Sequence, residues 1–337
     1  MKRKVLAAIL AGAMACGLVA CGGGAEKTKS EAPTAEGKSE AVSQTTDKDG
    51  LDVGLVTIAY TDEFCTLLAK QIQEKGAEIG YNVTLVDGEC DAQTQIDQIN
   101  TFITKGVDAI ILQAADCAGI VPGVKAANDA GVPVICTEVV PTGGDFTYCG
   151  PVSYDAGYMQ GKKLAEMYPD GCNVLYLQGT SGMTHALQRR EGFEAAVAEI
   201  GNNINILDAQ DGDFVKDEGM RITEAWIQKY TDNSSDTGVS FQAIVSGNDQ
   251  MILGAMEALK TAGIADGAIT LMGIDGTAPC VKAVADGKMT CTVFQNSLLV
   301  ADSNIACLKD IAAGKELEPE YTIDWELVDE SNYADYQ

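Results

Sequence analysis

From residue 53 to near the end of the chain, short runs of β-branched and aliphatic residues alternate with longer stretches whose apolar residues recur at helical spacing. This rhythm restricts the fold more than any other feature. Strands are predicted at 53–57, 82–87, 109–112, 132–136, 173–177, 204–208, 243–245, 270–273 and 290–294, and helices near 63–79, 92–104, 119–130, 154–167, 183–199, 215–229, 249–261, 278–285 and 297–312. Alternation of this kind builds parallel sheets with helices on both faces. Nine strands divide into two sheets near 152–153, where Pro141-Thr142-Gly143-Gly144 and Gly150-Pro151 interrupt the rhythm. The expected fold class is α/β, with two doubly wound parallel-sheet lobes.

The N-terminus sets the compartment. Met1-Lys2-Arg3-Lys4 is basic, 5–19 is a nearly unbroken run of small and apolar residues, and Leu18-Val19-Ala20-Cys21 follows at once. That reads as a signal peptide over 1–20, too short in its apolar part for a spanning helix. The four residues ending in Cys21 resemble a lipobox, so Cys21 is expected to be diacylated, and two acyl chains suffice for stable anchoring. Residues 21–50 hold one Val as their only large aliphatic side chain and read as a flexible tether. The expected location is the extracytoplasmic face of a cell membrane, lipid-anchored, with the tether length favouring a Gram-positive envelope.

Charge and cysteine usage narrow the partners. The formal charge is -26, and removing 1–20 takes away Lys2, Arg3 and Lys4, leaving -29. A nucleic-acid partner needs a basic face and is not expected. Of eleven cysteines, Cys16 leaves with the signal and Cys21 carries lipid; the other nine show no C-x-x-C spacing and mostly sit in apolar runs. They read as buried free thiols behaving as small hydrophobes.

Open parallel sheets bind ligands at the carboxyl ends of their strands. Those ends carry Asp62 and Phe64, Gln113, Glu138, then Gln178, Asp211 with Asp213-Phe214, Ser246-Gly247-Asn248-Asp249, Asp275 and Gln295. Amides and carboxylates flanked by two aromatic rings suit a hydroxylated ligand. Singly, each such residue is as readily a turn former or helix cap; the repetition over both halves favours a site.

Catalytic and metal signatures are weak. There is no phosphate-binding G-x-x-x-x-G-K-[ST] loop, no G-x-G-x-x-G fingerprint, and Gly179-Thr180-Ser181-Gly182 is not a nucleophile elbow. The single histidine, His185, lies near Ser181 without a carboxylate partner and reads as a surface or cleft-rim residue. Asp208-x-x-Asp211-x-Asp213-x-x-x-Asp217 and Asp232-x-Ser234-x-Asp236 lack the spacing of a calcium hand loop. No enzyme activity, cofactor or metal is expected.

The segments Val53-Gly54-Leu55-Val56, Leu177-Gln178-Gly179, Arg189-x-Glu191-Gly192-Phe193, Gly247-Asn248-Asp249, Gly273-Ile274-Asp275-Gly276-Thr277 and Val284-x-Asp286-Gly287-Lys288 carry a family likeness. Over 51–330 the chain resembles the ribose/galactose class of periplasmic sugar-binding proteins. The resemblance implies a type I binding-protein fold with a multi-strand hinge, an N-terminal lobe of 51–152 plus 296–324 and a C-terminal lobe of 153–295 plus 325–337. It places Arg189, Asn248, Asp275 and Gln295 on sugar hydroxyls with Phe64 and Phe214 on the ring faces, adds Asp62, Gln113 and Glu138, and implies a monomer serving the permease of an ABC importer. The alternative is a sensory binding protein that presents a sugar-like or nucleoside ligand to a chemoreceptor or kinase. Two departures stand out: Glu138-Val139 replaces the Asp-Arg pair of ribose binders, and Cys65 replaces a second Phe.

Overall fold

A computed structural model of the chain describes residues 50–201 and 203–336. The signal peptide, Cys21 and nearly all of the tether lie outside the described residues. Two six-stranded sheets carry the fold. The first contains β1 (Asp52–Thr57), β2 (Asn82–Asp87), β3 (Ala109–Leu112), β4 (Val134–Cys136), β5 (Thr147–Pro151) and β11 (Glu320–Ile323), in the order β11-β5-β4-β3-β1-β2. The second contains β6 (Asn173–Gln178), β7 (Asn205–Asp211), β8 (Ala243–Ser246), β9 (Thr270–Asp275), β10 (Cys291–Phe294) and β12 (Glu326–Asp329), in the order β12-β10-β9-β8-β6-β7.

The inner strands of each sheet are buried on both faces, which is why they read as continuous apolar runs. In β1, Val53 and Leu55 join one core with Leu68, Ile72 and Val300, while Val56 joins another with Ile99, Phe102 and Leu112. In β6, Leu175 and Leu177 face Trp226 and Phe241, and Val174 and Tyr176 face Leu164 and Phe193. Helices fill the crossovers: α1 (Glu63–Glu78), α2 (Ala92–Lys105), α3 (Val121–Asp129), α4 (Ser153–Met167), α5 (Thr184–Ile200), α6 (Lys216–Lys229), α7 (Asp249–Thr261), α8 (Ala278–Ala285) and α9 (Ser297–Ala312). Local chemistry starts and stops them. Asp62, Asp91, Asn248 and Asn296 accept backbone N–H bonds as N-caps, and Gly106 ends α2 in the left-handed conformation at φ 70°.

The chain passes between the two sheets three times: at Val152 from β5 into α4, at Gln295–Asn296 from β10 into α9, and at Asp324–Trp325 from β11 into β12. α9 returns to the first sheet, where Val300, Ile305 and Leu308 complete the core under α1. Trp325 Nε1 donates to Val152 O at 2.7 Å and so ties two of the crossings together.

Three features differ from the expectation. The region read as a break contains β5, hidden in the sequence because Gly150 and Pro151 stand at its end, where a proline costs no ladder bond. β11 was not expected either; it is a half-exposed edge strand whose Glu320 and Thr322 point outward. The second sheet is not wholly parallel, since β12 runs antiparallel to β10, pairing Cys291 with Asp329 and Phe294 with Glu326.

Candidate ligand-binding site

The carboxyl ends of both sheets face one cleft, and its loops are unusually strained. Of six non-glycine residues with positive φ among the described residues, four stand here: Glu138 (69°), Asp213 (52°), Phe214 (60°) and Asp275 (123°). Such backbone persists only where the surroundings impose it, and it concentrates at functional sites.

Arg189, on the second turn of α5, is the centre of the second lobe's face. It is 4% exposed. Its Nη1 donates to Gly247 O at 2.6 Å and lies 3.7 Å from Asp275 Oδ1. The guanidinium carbon sits 5.5 Å from the Trp325 ring centroid and 6.0 Å from that of Phe214, so two aromatic faces hold its plane. Nε is buried with no partner in the chain. The helix is fixed against α4 by Gly157, where an added Cβ would meet Arg189 O at 1.7 Å.

The loop carrying Asp275 is anchored by a neighbour. Asp249 is fully buried; its Oδ2 accepts from Thr277 N (2.7 Å) and Thr277 Oγ1 (2.9 Å), and its Oδ1 from Thr292 Oγ1 (2.7 Å). Burial still holds its carboxyl up at about 6, against those bonds. Burial also pushes Asp275 well above the carboxylate range, opposed by the positive charge of Arg189. Phe214 lies over Gly179, where a Cβ would meet its ring at 1.9 Å, and it also stacks on the imidazole of His185, centroids 4.9 Å apart and 12° from parallel. Burial, aided by the Arg189 charge, lowers His185 to about 3, so it is neutral at ordinary pH.

From the first lobe, Glu138 reaches across. Its Oε1 accepts from Gln295 Nε2 at 2.5 Å, and burial lifts its carboxyl to about 7 against the pull of Gln295 and Arg189. Gln295 is 3% exposed and its Oε1 has no partner in the chain. Asp62 caps α1 through Cys65 N at 2.7 Å, and its charge raises both Glu138 and Asp275. Burial, reinforced by the nearby charges of Asp62 and Glu138, pushes the Cys65 thiol well above its ordinary value. The lobes also touch at the cleft edge: Thr184 Oγ1 donates to Val140 O (3.2 Å) and bonds Cys117 Sγ (3.2 Å), while Met183 packs on the first lobe's core.

The chain has similar sequences and folds among known proteins. The periplasmic binding protein domain matches residues 53–316. The chain belongs to the periplasmic binding protein family. It is 28% identical to the ribose import binding protein of Salmonella typhimurium over 82% of this chain and 90% of that one. It is 32% identical to the galactofuranose-binding protein of Escherichia coli over 68% and 71% of the two chains. A solved ABC transporter solute-binding protein of Bacillus halodurans, with bound myo-inositol, superposes with a TM-score of 0.77 at 28% identity, over 86% of this chain and 99% of that one. Type I periplasmic binding-protein architecture is therefore the fold, and these relatives are by name a ribose import binding protein, a galactofuranose-binding protein and an ABC transporter solute-binding protein.

Within that fold the residues predicted from sequence have different surroundings. Glu138, Arg189, Phe214, Asp275 and Gln295 form one connected cluster. Asn248 is next to it but heavily engaged, capping α7 through Met251 N and donating to Phe214 O at 3.2 Å. Gln113 is fully buried with both amide ends occupied: Oε1 accepts from Thr57 Oγ1 and Nε2 donates to Cys65 O. Phe64 leans on the first lobe's core. Val139 is 1% exposed within the apolar core, so that position does not offer a side chain to the cleft. Sequence reasoning missed Trp325 as the platform under Arg189 and His185 as the stacking partner of Phe214. Neither carries a local signal, since each is brought in by a crossing or by a turn of α5. Asp249 stood in the polar run after β8, but its anchoring role depends on Thr277 and Thr292.

Among the described residues no group of three or more His, Cys, Asp or Glu could hold a metal ion, and no helix is long and apolar enough to cross a membrane.

Proposed function

We propose that the protein captures a small sugar or polyol between its lobes and delivers it to the membrane permease of an ABC importer, held at the extracytoplasmic surface by lipid on Cys21, and that it catalyses no reaction itself. The observation that carries this reading is the meeting of groups from both lobes. Glu138 from the first joins Arg189, Asp275 and Gln295 from the second, with Arg189 Nε and Gln295 Oε1 buried and unmatched by the chain. A polyol supplies donors to the carboxylates and Gln295 Oε1, and an acceptor to Nε. Bonds of this charge-assisted kind are stronger than neutral ones. Contacts to both lobes exist only when the cleft is shut, so ligand shifts the hinge equilibrium toward closure. The ribose, galactofuranose and myo-inositol binding of the relatives supports the ligand class. The division into an N-terminal lobe of 51–152 plus 296–324 and a C-terminal lobe of 153–295 plus 325–337 is part of the proposal, supported by the positions of the three crossings.

Thermal unfolding against monosaccharides, cyclitols, nucleosides and amino acids tests it. A ligand at a hundred times its Kd adds about 2.7 kcal/mol, a shift of several degrees. A shift with a sugar or cyclitol that vanishes in Asp275→Ala supports the reading. Shifts with amino acids or nucleosides alone would refute it.

A further inference from the structure

A cavity of about 330 Å³, partly open to solvent, adjoins the site and is walled by both lobes. Glu138, Phe146 and Tyr148 line it from the first, His185 and Gln188 from α5 of the second, and Glu320 of β11 stands at its exposed side. Of these only Glu138 belongs to the set that meets the ligand in the proposed function, so most of the cavity has no role there. Two observations join it to the cleft. Glu138 is common to both, and His185 lines the cavity while its ring stacks on Phe214. His185 Nδ1 is buried with no partner in the chain.

The lining alternates apolar faces with isolated polar atoms, which matches a ring that presents C–H faces and hydroxyl edges. A neutral imidazole offers one donor and one acceptor, again suited to a hydroxyl. Glu320 disfavours an anionic substituent by like-charge repulsion, and Glu138 joins it once pH rises through about 7. We propose that the cleft takes a glycoside longer than one ring, with the first ring on Glu138, Arg189, Asp275 and Gln295 and a second, glycosidically linked ring in the side cavity between His185, Gln188 and Tyr148. This rests on the sugar-binding reading above and extends it to the size of the cargo.

Calorimetry with matched pairs tests it: glucose against maltose and cellobiose, galactose against melibiose, fructose against sucrose. At least one extended sugar should bind about tenfold or more tighter than its parent, a gain of about 1.4 kcal/mol. Gln188→Trp, which fills the cavity from α5, should erase that ratio and leave the parent's affinity in place. Should the tryptophan variant fail to fold, Gln188→Ala should still lower the ratio, because it removes a polar contact to the second ring only. Parent sugars that bind while every extended partner binds equally or more weakly overturn the proposal. Binding by no carbohydrate at all overturns the sugar reading itself, and the longer ligand with it.

Discussion

Glu138→Gln should change how stability depends on pH while keeping the interlobe hydrogen bond, since a carboxamide oxygen can still accept from Gln295 Nε2. Burial lifts Glu138 from 4.5 to about 7, so between those values the folded chain keeps a proton that the unfolded chain has lost. The group's contribution to stability is complete below pH 4.5 and is lost as pH rises through 7. The full displacement corresponds to about 3 kcal/mol, and the partial solvent access of the side chain trims the expected effect to about 2 kcal/mol. In the absence of sugar, the variant should match the parent near pH 4.5 and exceed it by about 2 kcal/mol at pH 8, or roughly 4 to 8 °C in midpoint. His185, lowered to about 3, acts in the opposite sense: its contribution is present above 6.5 and lost as pH falls toward 3. It is present in both proteins and largely cancels from the difference. Denaturant titrations of both proteins at half-unit pH intervals would measure it. Parallel curves across pH 4.5 to 8 would show that Glu138 is not held in a costly ionised state, and the burial argument would fail.

Arg189→Met should abolish sugar binding and cost about 1 to 3 kcal/mol of stability, because Gly247 O loses its buried donor; Asp275 can escape the loss of its partner by keeping a proton. Undiminished affinity in calorimetry would remove Arg189 from the site. Gly157→Ala should cost about 1 to 3 kcal/mol by forcing α4 from α5, and should weaken ligand binding together with stability, since the Cβ meets the backbone of Arg189 itself. Among the nine described cysteines, titration with a thiol reagent should find one reactive group in the folded protein, Cys90, and eight more after unfolding, for Cys65, Cys117, Cys136, Cys149, Cys172, Cys280, Cys291 and Cys307 are buried. Labelling of Cys90 should quicken as pH rises, because partial burial raises its thiol and keeps thiolate scarce near neutrality.

Element type was legible wherever an apolar run was long enough to declare its period. α7, α8 and α9 begin and end where the pattern and their caps place them, and β2 and β3 match residue for residue. β5 and β11 were obscured because a strand that ends in Gly-Pro or lies half-exposed at a sheet edge lacks the uniform apolar run of its neighbours. At the site, the polar residues following each strand could be read one by one, but which of them face the cleft could not. Gln113 and Glu138 both follow a strand of the first sheet. One is spent on Thr57 and Cys65, while the other crosses to Gln295, and the distinction rests on partners 56 and 157 residues away. Val139 shows the same limit, since its neighbour's backbone at φ 69° turns it inward.

The return of α9 to the first lobe has a consequence for biosynthesis. Leu68 and Ile72 of α1 are covered by Val300, Ile305 and Leu308, and Lys75 bonds Asp302 across 227 residues of chain. A nascent chain delivered from its N-terminus therefore presents a first lobe with one flank of α1 bare until the whole second lobe has followed. Contacts of such separation make folding slow, because the loop must close before they contribute. The unfinished lobe would stay loose during that interval, the state a chain needs if it is to be threaded through a membrane before it sets.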